Sequence, residues 1–266
     1  MKKVALILLF IVLTATCSWA RVAVVGNLTH DHDAKPGDSY DGMIICRNDG
    51  DTPSDVKVYQ TDYQFFYDGR NTYGEAGKMA RSNAKWISIS PMRLTVAPKE
   101  TAAINYTITV PKDDALNGSY WSMIMVEPIA ETAPEVSPEK GKIKVGLQTI
   151  VRYGIQISTN IADSGEKKLR FIDKQLVLKD NQVALQLDLE NNGERTLIPA
   201  VWTELYSGSG AYVGRFESGK YRIYPGCSVR HLIDLSGVPK GDYKALVVAD
   251  NGDENVFGAE YNISIK

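Results

Sequence analysis

The chain has 266 residues, with 30 Lys and Arg against 32 Asp and Glu for a net charge of −2, and 44% hydrophobic residues. That balance excludes the basic face that nucleic-acid binding requires, and with only three histidines few side chains titrate near neutrality, which argues against acid–base catalysis. The length exceeds one typical domain and suits two of roughly 100 residues or a little more.

At the N-terminus Lys2 and Lys3 precede an apolar stretch, Val4 to Leu13, and then the small-residue pattern Ser18-Trp19-Ala20. This is the pattern of a secretory signal peptide over residues 1–20, cleaved near Ala20. A membrane span would need roughly 20 apolar residues, and a lipid anchor on Cys17 would want a large aliphatic residue where Thr14 stands. Cleavage leaves 28 basic against 32 acidic residues, a net charge of −4, in an exported protein that starts at Arg21.

Beyond the signal no 3.6-residue apolar face is sustained, whereas period-2 runs bounded by Gly, Pro, Asn and Asp recur along the chain, which predicts an all-β protein. The expected strands are Val22–Asn27, Met43–Arg47, Val56–Phe66, Trp86–Ile89, Ala102–Val110, Tyr120–Val126 and Ile143–Ser158. A second set covers Leu169–Leu178, Val183–Glu190, Val201–Tyr206, Val229–Leu235, Tyr243–Ala249 and Tyr261–Ile265. The domain boundary is placed in the polar stretch Asn160 to Lys168, giving domains 21–162 and 163–266.

The two sets read as versions of one unit. Asn48-Asp49-Gly50-Asp51 is matched by Asn191-Asn192-Gly193-Glu194, in residues that tolerate positive φ in a tight turn. Pro98 with Thr101, Val110-Pro111-Lys112 and Gly118-Ser119-Tyr120 are matched by Pro225 with Ser228, Val238-Pro239-Lys240 and Gly241-Asp242-Tyr243. A Pro-bearing connection followed by Tyr at a strand start resembles the tyrosine corner of immunoglobulin-like domains, so two tandem immunoglobulin-like sandwiches are expected, with Tyr120 and Tyr243 in structural roles. Trp86, Trp121 and Trp202 are expected at core or half-buried strand positions. Cys46 and Cys227 fall in different repeats and are expected to be buried free thiols rather than a bridge.

Two segments of the first repeat have no counterpart in the second. Asn48 to Pro98 spans 50 positions and Asn191 to Pro225 spans 34, so about 16 extra residues, placed between Tyr67 and Lys85, are expected to form a surface loop. Pro128 to Lys142, with its prolines and glutamates, holds too little apolar surface to offset the entropy of ordering and is expected to be mobile.

Enzyme motifs are missing: no zincin, phosphate-loop or nucleophile-elbow pattern occurs, and no cofactor is expected. His30 and His32, beside Asp31 and Asp33, would share a face of an extended strand as a metal pair if further ligands joined them; the alternative is an exposed polar approach to the turn at Pro36-Gly37-Asp38. Asp250 to Glu254 lacks the spacing of a calcium loop and reads as a hairpin turn. The sequons at Asn27, Asn105, Asn117 and Asn262 matter only in a host that glycosylates secreted proteins.

The most informative stretch is Ile143 to Ser158. Ile143, Val145, Leu147, Val151, Tyr153, Ile155 and Ile157 form an apolar stripe broken only by Thr149. A strand this long exceeds the usual 5 or 6 residues; its first half either extends past its own sheet partners as a binding edge or packs entirely in the core.

A Pro-rich segment, a long alternating strand and then a second sandwich resemble the periplasmic chaperones of pilus assembly, most specifically in KVGLQTIVRYGIQI, Lys144 to Ile157, and more weakly in ISPMRLTVAP, Ile89 to Pro98. The resemblance implies a periplasmic chaperone whose long strand is lent to a secreted or surface subunit of fimbrial type by β-augmentation. Its donor side chains would be Ile143, Val145 and Leu147, just before Leu147-Gln148-Thr149, with Thr149 and Val151 in the same strand. Arg152 stands where the family places a lysine that anchors a subunit's terminal carboxylate, and an arginine can hold a carboxylate bidentately. The family's second anchor, an arginine in the first strand, has no counterpart except Arg21 at the mature terminus. The competing reading is a structural or adhesion module of the surface or envelope that binds glycan or protein through the loop Tyr67 to Lys85.

Overall fold

A computed structural model describes residues 22–129, 150–179 and 182–266, and strands fill both halves of the chain as the period-2 pattern predicts. The expected signal peptide and nearly all of Pro128–Lys142 lie outside the described residues. The first half contributes β1 (Val22–Val25), β2 (Thr29–Ala34), β3 (Ser39–Asn48), β4 (Ser54–Phe65), β5 (Asn71–Gly74), β6 (Ile87–Ser90), β7 (Arg93–Val96), β8 (Thr101–Thr109), β9 (Gly118–Pro128) and β10 (Tyr153–Ile161). The second contributes β11 (Leu169–Lys179), β12 (Gln182–Asn191), β13 (Ala200–Ser207), β14 (Tyr212–Glu217), β15 (Ser228–Asp234), β16 (Gly241–Asp250) and β17 (Val256–Ile265).

Each half is a sandwich of two sheets. In the first, β1-β3-β8-β6 faces β2-β10-β9-β4-β5, with β7 also paired to β4; in the second, β11-β12-β15 faces β14-β13-β16-β17. Alternation fills the cores: Ile104, Tyr106 and Ile108 of β8 point inward between exposed neighbours, as do Tyr243, Ala245, Val247 and Ala249 of β16. Cys46 and Cys227 are free and buried, in different cores, and burial pushes both thiols up to about 11.

The repeat is real at atomic level, though the turn chemistry differs from expectation. Neither Gly50 nor Gly193 has positive φ. The turns are instead held by side chains: Asn48 Oδ1 accepts the Gly50 N–H at 2.9 Å while its Nδ2 donates to the Thr52 and Val96 carbonyls, and Asn191 does the same with Gly193, Arg195 and Ile223. Positive φ falls later, at Lys99 (61°) and Gly226 (75°), each following a proline in a turn closed by Glu100 N–H to Ala97 O and by Cys227 N–H to Tyr224 O. Pro then a positive-φ residue is the type II pattern.

Tyr243 makes the expected corner, donating to the Pro239 carbonyl at 2.7 Å. Tyr120 does not: its ring packs on Trp86 at 4.7 Å under the Arg81 guanidinium. Trp86 itself sits in a short 3-10 turn, Ala84–Trp86, before β6. The expected surface loop Tyr67–Lys85 is partly ordered sheet, since β5 pairs with β4, and Asp62 folds the rest inward by accepting the N–H groups of Gly77, Lys78 and Met79 and the Ser82 hydroxyl. The long strand expected at Ile143–Ser158 has its described part at Tyr153–Ile161, three residues beyond the expected end.

The chain passes between sandwiches from Ile161 to Leu169, and the junction is packed. Trp121 of β9 is buried in the core of the second sandwich, stacked on Tyr224 with ring centroids 4.7 Å apart. Arg222 holds Asp31 of β2 through two bonds of 2.9 and 2.6 Å, Arg81 meets Glu194 at 3.1 Å, and Tyr224 donates to Gln156 Oε1 at 2.8 Å. Gly118 is required here: its φ is 67°, and a Cβ would lie 2.2 Å from the Glu194 carbonyl oxygen.

Candidate functional site

β10 lies between two neighbours, but they do not start together. Its antiparallel pairing with β9 runs the full length, from Tyr153 opposite Val126 to Ile161 opposite Gly118. Its parallel pairing with β2 begins only at Gln156 opposite Thr29, where the Gln156 N–H reaches the Leu28 carbonyl at 2.9 Å. Backbone polar groups alternate edges along a strand, so the N–H and C=O of Gly154 face the same lane as those of Gln156. Among the described residues no strand pairs with β10 there.

Opposed residues on paired strands share a face, which sorts the side chains beside this open lane into rows. Lys57 of β4 opposes Glu127 of β9, Tyr59 opposes Met125, and Thr61 opposes Met123; Gly154 and Gln156 of β10 oppose Met125 and Met123. In the first row Glu127 sits between two cations, 3.0 Å from Lys57 Nζ and 3.8 Å from Arg152 Nη1, and accepts the Tyr59 hydroxyl at 2.8 Å. Burial raises the Glu127 pKa, but the hydrogen bonds from Lys57 and Tyr59 and the charges of Lys57 and Arg152 outweigh it and hold the carboxyl below the usual carboxylate range. Two cations on one carboxylate leave one positive charge in excess.

The next rows form the floor of a groove of about 450 Å³ lined by Tyr59, Thr61, Tyr73, Met123, Met125, Gly154 and Arg152. Beyond it the second sandwich covers the same face through Trp121 and Tyr224. The groove therefore lies between the charged row and the junction.

Of the residues marked in the sequence, Ile143, Val145, Leu147 and Thr149 lie outside the described residues. Val151 and Arg152 precede β10 rather than lying in it, both exposed, with Arg152 retaining 60% of its side-chain exposure beside Glu127. Ile155 and Ile157 are buried in the first core, as the resemblance implies for the later residues of the strand. Sequence reasoning missed Glu127, Met123, Met125, Gly154 and Tyr73. For Met123 and Met125 the signal was the run Tyr120–Val126, largely apolar on both faces where an ordinary half-exposed strand alternates; Glu127, Gly154 and Tyr73 carried none.

The other candidates resolve differently. His30 and His32 belong to β2, a strand absent from the expected set, and both are half-buried rather than exposed on the approach to the turn. His30 Nδ1 lies 2.7 Å from the Tyr106 hydroxyl and His32 packs on Tyr40 at 4.3 Å. Burial and the His30 charge lower the His32 pKa against the opposing pull of Asp31 and Asp33. No cluster of metal-binding side chains occurs among the described residues. Asp250–Glu254 lies in the connection of the β16–β17 hairpin, with Asp253 held by Lys167 at 2.8 Å.

No family model and no curated protein matches the chain. Solved structures do resemble it over nearly its whole length. A chain of the chaperone–tip adhesin complex of CFA/I fimbriae is similar with a TM-score of 0.48 at 12% identity, covering 91% of this chain and 98% of that one. The class 5 fimbriae chaperone CfaA gives 0.47 at 12%, covering 90% and 98%. The Salmonella enterica SafA pilin–SafB chaperone complex gives 0.45 at 12%, covering 93% and 99%.

Proposed function

We propose that this protein is a periplasmic chaperone-like protein that binds an extended segment of a secreted or surface subunit by adding it as a strand beside β10. The open lane at Gly154 carries this reading, because among the described residues β10 there is paired on one side only and offers backbone groups that a further strand can take up. The sequence stripe Ile143, Val145 and Leu147, outside the described residues, precedes this edge along the chain, and the resemblance of Lys144–Ile157 to the lent strand of pilus-assembly chaperones supplies the fimbrial class of client. Carboxylate capture by Arg152 is supported by its exposure and by the one surplus positive charge of its row.

Copurification of the client from the native host, run beside thermal melts, tests the reading. Leu147→Asp is expected to abolish copurification by placing a charge in a desolvated groove while the melt is unchanged. A folded variant that keeps its client removes this strand from the mechanism; an unfolded one assigns the stripe to the protein's own core. Arg152→Ala is expected to weaken client binding by about 2–5 kcal/mol if the carboxylate is buried on it. The same change should scarcely move stability, since Arg152 is 60% exposed and Glu127 keeps its closer partners Lys57 and Tyr59.

A further inference from the structure

We infer that the groove beside Gly154 is a specificity pocket for one aromatic side chain of the added strand, an inference that rests on the strand-addition reading. Gly154 is the only position of its row without a side chain, flanked across the sheet by Met125 and Tyr59. A residue in the neighbouring lane therefore meets no side chain of β10 on its way to the groove floor, and enters by displacing the flexible Met123 thioether. What it meets is sulfur rather than backbone: the Met123 Sδ leans over the glycine, 2.3 Å from where a Cβ would stand.

The chemistry of the walls selects the occupant. An aromatic side chain laid across a strand glycine restores the packing the glycine lacks, thioethers make favourable contacts with aromatic rings, and Tyr59 and Tyr73 offer ring faces. The volume of about 450 Å³ lies in the range of sites that take a compact ligand group. The adjoining row adds a charge requirement, since Lys57 and Arg152 exceed Glu127 by one positive charge. A strand residue two positions from the aromatic one lies beside Arg152, so the preferred segment pairs an aromatic residue with an acidic one two positions away. Tyr73 comes from the extra segment of the first repeat, which gives that insertion a role as the pocket's outer wall.

The test uses the mature protein with ¹³C-methyl methionine and two acetylated, amidated peptides of alternating valine and threonine. One carries a central phenylalanine with aspartate two positions to either side, and the other has alanine at the centre. The phenylalanine peptide is expected to bind about tenfold more tightly and to shift the methyl signals of Met123 and Met125, leaving the exposed Met43 and Met92 as unmoved references. Tyr73→Ala, at a side chain 60% exposed and so safe for folding, should bring the two peptides to near-equal affinity. If both peptides move the Gly154 amide equally and leave the methyl signals still, strand addition stands and the aromatic pocket is overturned. If the methyl signals move while the Gly154 amide does not, the groove takes an aromatic ring without strand pairing, and strand addition falls together with this inference; if neither moves, both fall.

Discussion

His231 shows how much one buried side chain can weigh. It lies in the second core with Nδ1 2.6 Å from the Ser218 hydroxyl and no partner for Nε2, and burial lowers its pKa to about 4. The unfolded chain takes up a proton near 6.5 while the folded one stays neutral to about 4, so between these values the unfolded state binds more protons. Stability is therefore full above pH 6.5 and falls as the pH drops toward 4, by an amount on the order of 2–3 kcal/mol. Urea melts at pH 7 and pH 4.5 should show that fall, and His231→Phe should remove most of it; an equal fall in the variant would place the sensitivity elsewhere. Gly226 is a second case, read from backbone alone. Its φ of 75° lies in open space, with no heavy atom within 4 Å of a built Cβ. Gly226→Ala is expected to cost about 1 kcal/mol through the left-handed conformation itself, measured by the same melts, whereas a neutral result would show that the turn tolerates a Cβ at positive φ as it does at Lys99.

At the scale of elements, what was legible followed from apolar alternation. β8 and β16 declare themselves because every second residue enters a core. β2 does not, because Thr29–Ala34 is polar on both faces: His30 and His32 meet Tyr106 and Tyr40, while Asp31 and Asp33 reach Arg222 and Arg195 of the other sandwich. Partners so distant in sequence leave no local period. The candidate site divides in the same way. Arg152 was legible from its place after Leu147-Gln148-Thr149, but the groove arises from the register of β4, β5, β9 and β10, which no single segment encodes. The segment Tyr67–Lys85 read as a plain surface loop for want of one fact, the buried carboxylate of Asp62 that gathers three backbone N–H groups. Hydrogen bonds to a charged group contribute about 1.5–3 kcal/mol each, net of the bonds to water they replace. Asp62→Ala is therefore expected to release residues 75–82 and to open a trypsin site at Lys78 or Arg81 that the wild-type protein resists. Equal resistance in the variant would mean that β5 and the packing of Met79 suffice.

Over the whole molecule, the junction decides whether two sandwiches behave as one body. Trp121 belongs by sequence to the first sandwich and by burial to the core of the second, where it stacks on Tyr224 and donates its indole N–H back to the Tyr63 carbonyl at 2.7 Å. One side chain thus serves both halves, and the groove beside Gly154 sits on the same face of β9, two residues further along at Met123. A cleft of fixed shape requires that this junction stay closed, since rotation at Trp121 would carry the second sandwich across the groove. Truncating a buried tryptophan costs about 3–5 kcal/mol, and here the loss falls on the coupling between halves as well as on the second core. Calorimetry of the wild-type protein is expected to give one cooperative transition. Trp121→Ala should split it, the second sandwich melting first. Arg222→Ala, which breaks a partly exposed pair with Asp31, should lower the midpoint slightly, by about 1 kcal/mol or less, without splitting it. A single transition in Trp121→Ala would mean that the polar contacts of Arg81, Glu194 and Arg222 suffice to couple the halves, and the fixed geometry of the cleft would then rest on them.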